Sequence, residues 1–141
     1  MTETPSAAPW SEAEQEYLLG QRLGRLATLG PDGAPQSRPV VYTVNADLGT
    51  IDIGGLHLAA SRKFRNIQAD PRVSFVVDDL ASTDPWSPRG VEIRGVAAAV
   101  APGSPDLPPA FPEGLIRITP RRILGWGLDT GAFAPPHARD V

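Results

Sequence analysis

With 141 residues, 41% of them apolar and 21% charged, the chain is long enough for one globular domain and too apolar for a disordered one. A formal net charge of -3 argues against a broad nucleic-acid-binding face, and the absence of cysteine removes disulfides, thiolate nucleophiles and thiolate metal ligands. No apolar run reaches the length of a membrane span and the N-terminus lacks a basic-then-apolar leader pattern, so the expectation is a cytoplasmic protein with no membrane or nucleic-acid partner.

Residues 1–10 are rich in Pro, Ser and Ala and read as a mobile start. Ser11-Glu12-Ala13-Glu14 then fits a capping box, opening a helix to about Gln21 that turns Ala13, Tyr17 and Leu18 inward. Gly24 to Leu29 reads as a strand, Gly30-Pro31-Asp32-Gly33 as a turn, and Gln36 to Val44 as the returning strand. A further turn at Asn45 to Gly49 leads into Thr50 to Gly54.

Ser61 to Ala69 is the second helix, stopped by Asp70-Pro71 because the residue before proline avoids helical geometry. Strands are expected over Arg72 to Asp78 and Val91 to Val100, separated by a proline-rich loop, and again over Leu115 to Ile118 and Ile123 to Gly127. Residues 101–114 read as an exposed connection. The pattern predicts a mainly β domain over 11–128, a small antiparallel barrel of about six strands with flanking helices, followed by a loose tail over 129–141.

Ser61-Arg62-Lys63 breaks a local rule. With Ser61 as N-cap, two cations occupy a first turn where free amides and the helix dipole are already positive. A phosphate accepting from Ser61, the amides, Arg62 and Lys63 would compensate. Solvent-facing side chains paired with Asp70 or Glu113 explain the same pattern equally well. Gly54-Gly55 just upstream permits close approach of backbone or ligand.

A second signal is the face formed by Gln36, Arg38, Val40 and Tyr42, which period-two geometry aligns. Arg38 and Gln36 suit the heteroatoms of a ring and Val40 its face, although a solvated outer strand face is the simpler alternative. His57 and His137 are the only histidines and have no third ligand at metal spacing, so no metal site is expected. Trp86 and Trp126 are candidate ligand covers or ordinary packing residues.

The ordered blocks Gln36-Ser37-Arg38-Pro39-Val40-Val41, Ser61-Arg62-Lys63, Glu92-Ile93-Arg94-Gly95-Val96 and Pro120-Arg121-Arg122-Ile123-Leu124-Gly125-Trp126-Gly127 resemble the pyridoxamine 5'-phosphate oxidase superfamily. The resemblance implies an FMN-binding-type, six-stranded antiparallel split β-barrel, forming a homodimer with two cofactor sites at the subunit interface. It further implies that Arg38 contacts the isoalloxazine-type ring, that Ser61, Arg62 and Lys63 bind the phosphate, and that Trp126 lies near the cofactor across the interface.

The oxidase members carry Phe-Trp-Gln-Gly and a downstream Arg-x-His. Here Leu124-Gly125-Trp126-Gly127 stands instead and no such Arg-x-His follows, which argues against oxidation of pyridoxamine phosphate. Leu26-Ala27-Thr28 and the run from Asp78-Asp79-Leu80 to Arg94-Gly95 look more like the actinobacterial branch that uses the deazaflavin coenzyme F-420. The implied activity is hydride transfer between F-420 and a small conjugated substrate. FMN is the alternative cofactor, a non-catalytic flavin- or haem-binding barrel is the alternative function, and Tyr42 is the candidate proton donor because it shares the Arg38 face.

Overall fold

The computed structural model describes residues 8–141. Residues 1–7 of the segment expected to be mobile lie outside the described residues. Its last residue, Trp10, is buried and donates its indole N–H to Gln15 Oε1 at 2.9 Å, so the ordered domain starts earlier than expected.

Helix α1 (Glu12–Gly20) forms as its cap requires. The Glu14 amide donates to Ser11 Oγ at 3.2 Å, and the Ser11 amide donates to Glu14 Oε1 at 2.8 Å. Its buried residues are Glu14, Tyr17 and Leu18; Glu14 takes the inward place expected of Ala13 because an arginine meets it there.

Strands β1 (Leu23–Leu29) and β2 (Pro35–Val41) form a hairpin in register from Leu23↔Val41 to Leu29↔Pro35, around a turn in which Gly33 takes φ 79°. The single return strand expected over 36–44 is broken at Tyr42. Its hydroxyl donates to the Leu18 carbonyl and its ring meets Phe75 edge-on at 5.2 Å, which pulls the chain off the β1 ladder. The short strand β3 (Thr43–Asn45) pairs instead with β4 (Thr50–Ile53).

A 3-10 turn over Leu58–Ala60 precedes helix α2 (Arg62–Ala69). Strands β5 (Arg72–Thr83) and β6 (Trp86–Val100) then make one long hairpin, where a proline-rich loop is expected from the sequence. Pro88 faces Leu80 beside a register shift between Leu80 and Ser82, so its missing N–H falls at a bulge. Strand β7 (Leu115–Trp126) is likewise continuous, a second shift opposite Arg94 and Gly95 absorbing Pro120.

All strand pairs are antiparallel, and the order is β2-β1-β5-β6-β7-β4-β3. The mainly β class and the curled split-barrel sheet agree with the sequence expectation. The strand number among the described residues is eight rather than about six: the 36–44 segment divides, the two segments expected over 115–118 and 123–127 fuse into β7, and the tail contributes a strand. Residues 129–141 are not a loose tail: β8 (His137–Asp140) pairs with β7 from Gly125↔His137 to Arg122↔Asp140.

The core joins Val73, Phe75 and Val77 of β5 to Val91 and Ile93 of β6, Ile118 and Ile123 of β7, and Phe64 and Ile67 of α2. Each such large side chain contributes about 1.5–3 kcal/mol on burial. Among the described residues no helix is long and apolar enough to cross a membrane.

Candidate cofactor site

Helix α2 is fixed at both the backbone and the side-chain level. The Phe64 amide donates to the Ser61 Oγ cap at 3.4 Å, and the Ser61 hydroxyl donates to the Leu58 carbonyl at 2.6 Å. One turn further, buried Asn66 donates to Thr28 Oγ1 of β1 at 3.0 Å and to Gln36 Oε1 of β2 at 2.9 Å. These two bonds pin the helix to the β1–β2 hairpin, and so bring Arg62 and Lys63 beside Arg38.

The result is an open cleft of about 330 Å³ lined by Leu26, Thr28, Gln36, Ser37, Arg38, Arg62 and Lys63. Its charge is one-sided. Seven of the thirteen Lys and Arg residues pair with carboxylates elsewhere; of the other six, three line this cleft. The two alternative partners are taken: Asp70 holds Arg72 at 2.7 Å, and Glu113 lies 3.6 Å from His57.

Burial and then the neighbouring Arg38 charge push the Lys63 ammonium below its ordinary pKa, the signature of a cation short of an anion. The Arg62 and Lys63 amides, in the first turn of α2, have no hydrogen-bond partner among the described residues. A phosphate fits this donor set, which holds two forks, an ammonium and two free amides without an opposing carboxylate among the described residues.

Not every expected residue converges here. Gln36, Arg38, Arg62 and Lys63 do. Ser61 supports them as the helix cap, and its only hydroxyl proton is committed to Leu58. Val40 is core, 6% exposed. Gly54 admits a side chain rather than a ligand: a Cβ there would stand 2.9 Å from Phe111 Cδ1.

Tyr42 lies off the cleft, its hydroxyl bound to Leu18, and burial raises its pKa to about 12, which weakens it as a proton donor near neutrality. Trp126 is the last residue of β7, its indole packed where Gly90 lacks a side chain, in a separate cleft with Leu128 and His137. Sequence reasoning missed Asn66 and Thr28, polar residues whose only signal is being buried together from segments 38 positions apart.

Comparison with known proteins identifies the family. Residues 11–127 match the family described as pyridoxamine 5'-phosphate oxidase. The chain belongs to that family. A 5a,11a-dehydrotetracycline/5a,11a-dehydrooxytetracycline reductase of Streptomyces rimosus is 42% identical over 133 residues, covering 94% of both chains. A conserved hypothetical protein of Mycobacterium tuberculosis superimposes with TM-score 0.66 at 29% identity, covering 89% of this chain and 90% of that one. A structure described as an F-420 reductase shares the fold, with TM-score 0.61 at 24% identity over 81% of this chain and 98% of its own.

Proposed function

We propose that this family member is an oxidoreductase that uses coenzyme F-420 to reduce a conjugated bond in a small organic molecule, acting as a cytoplasmic homodimer. The observation that carries the reading is the Arg38, Arg62 and Lys63 cleft, where three cations and two free amides meet no carboxylate among the described residues. Arg62, Lys63 and the first-turn amides would hold the cofactor's phosphate, and Ser61 keeps that turn in place. Arg38, on the neighbouring strand, would bond ring heteroatoms while Gln36, held by Asn66, sets the edge of the ring pocket.

The bound deazaflavin would supply the hydride chemistry. The chain's own part is to bind, orient and exclude water. Exposed Arg65, which donates to the Ala60 carbonyl at 2.9 Å, is not among the residues that line the cleft, so the basic cluster suits F-420 and FMN alike. The reductase relative, 42% identical along nearly the whole chain, supports reduction as the direction. A cleft of about 330 Å³ is near the lower limit of the ~300–1,000 Å³ typical of ligand pockets, so a ring cofactor needs a further wall. A second copy of the chain, presenting Trp126, would provide it.

F-420 and FMN titrated separately, each followed by its own fluorescence, test the proposal. Saturable F-420 binding tighter than FMN is expected. Protein purified yellow with tightly held FMN would replace the cofactor, a Soret band would replace flavin chemistry with haem binding, and no binding of either ring would overturn the function.

A further inference from the structure

A tightly held polar cluster outside the basic cleft lies where α1, β7 and β8 meet. Glu14, 2% exposed, receives both terminal nitrogens of Arg139: Nη1 donates to Oε2 at 2.9 Å and Nη2 to Oε1. Arg139 Nη2 also donates to the Pro9 carbonyl at 2.9 Å, and the Ser11 amide donates to Glu14 Oε1. A helix cap alone does not need this. A capping glutamate works at the surface, whereas burying an ion pair costs desolvation that close geometry only partly offsets.

The pair rests directly on β7. A Cβ on Gly125 would collide with Glu14 Oε2, so glycine is what lets the carboxylate lie against the strand. The next residue is Trp126, whose indole occupies the space left by Gly90. Gly127 follows at φ 68°, with the Pro88 carbonyl against it. Three consecutive residues are thus held from α1, from β6 and from the start of β6, while β8 closes over them through Gly125↔His137.

We propose that Glu14 and Arg139 are positioning residues for Trp126: the first helix and the last strand are clasped across Gly125 so that the indole has one orientation. This rests on the reading that Trp126 faces the cofactor. It makes β8, which touches none of the basic cleft, a working part of the site.

The test uses full-length protein with Trp10 and Trp86 replaced by Phe, leaving Trp126 as the only tryptophan. Its emission maximum and acrylamide quenching are compared with those of Glu14→Gln and Gly125→Ala in the same background, alongside thermal unfolding and FMN and F-420 affinity. Folded Glu14→Gln is expected to show red-shifted emission and several-fold stronger quenching, with affinity for the bound ring reduced several-fold. Gly125→Ala keeps both charges and disturbs only the contact, so it gives the same readout if Glu14→Gln does not fold. Unchanged emission and quenching in a folded variant overturns the proposal. Failure of the cofactor reading shows separately, as parent protein that binds neither ring while the Trp126 signal still responds to the clasp.

Discussion

At the α1–β8 end, Glu14 meets Arg139 and Asp79 meets Arg89, which in turn lies over the Tyr17 ring at 5.1 Å. At the α2 end, Arg38, Arg62 and Lys63 meet no carboxylate among the described residues, although the net charge is negative and acidic residues outnumber basic ones. A chain able to pair seven cations has left three together. Folding gains nothing from that arrangement, since like charges repel and Lys63 is already driven toward its neutral form. At one end charge is matched within the fold, and at the other it is left for the phosphate proposed above.

The contrast breaks most visibly at Arg139. Arg139→Ala strands a buried carboxylate and should cost about 3 kcal/mol, the lower end for a broken buried pair because Arg139 itself is 22% exposed. A denaturant titration reads it as a lower midpoint. Asn66→Ala should come next, at about 1–3 kcal/mol, because Thr28 and Gln36 both lose their donor. It should weaken cofactor binding as well, since it frees α2 from the hairpin.

The basic cleft should behave oppositely. Lys63→Met removes a cation whose pKa is depressed in the folded state, a form of strain present at every pH where the lysine is protonated. The thermal midpoint should stay level or rise while affinity falls. Arg72→Ala, an exposed pair with Asp70, should leave both affinity and midpoint at the parent values and so serves as the control.

Acid should also separate the two ends. Burial raises the Glu14 and Asp52 carboxyls, but the bonds from Arg139 to Glu14 and from Arg117 to Asp52 outweigh it and hold both below the ordinary carboxylate range. Their stabilisation is present above the unfolded-state pKa and is lost as pH falls through the folded-state values. Hydrogen exchange at pH values below the ordinary carboxylate range should therefore report β8 and the β3–β4 edge opening as these two pairs are protonated.

What the sequence made legible was local. Ser11 with Glu14 and Ser61 with Phe64 are caps closed within three residues, and the alternation of Val73, Phe75 and Val77 marks β5 directly. Ordered motifs placed Arg38, Arg62 and Lys63 in one site. What escaped depended on partners far along the chain. Gly54 looks like room for a ligand until Phe111 arrives, and Tyr42 looks free until Leu18 accepts its proton. His137-Ala138-Arg139-Asp140 has neither alternation nor branched residues, so β8 exists because β7 offers an edge and Glu14 a partner.

The central claim is that the unpaired cations hold a cofactor phosphate. Titrating F-420 and, separately, FMN into the parent protein and into Arg38→Ala, Arg62→Ala and Lys63→Ala measures it directly. The parent is expected to bind at least one ring, and each variant to lose about 1.5–3 kcal/mol of affinity at an undiminished thermal midpoint. Equal affinity across all four proteins would contradict it.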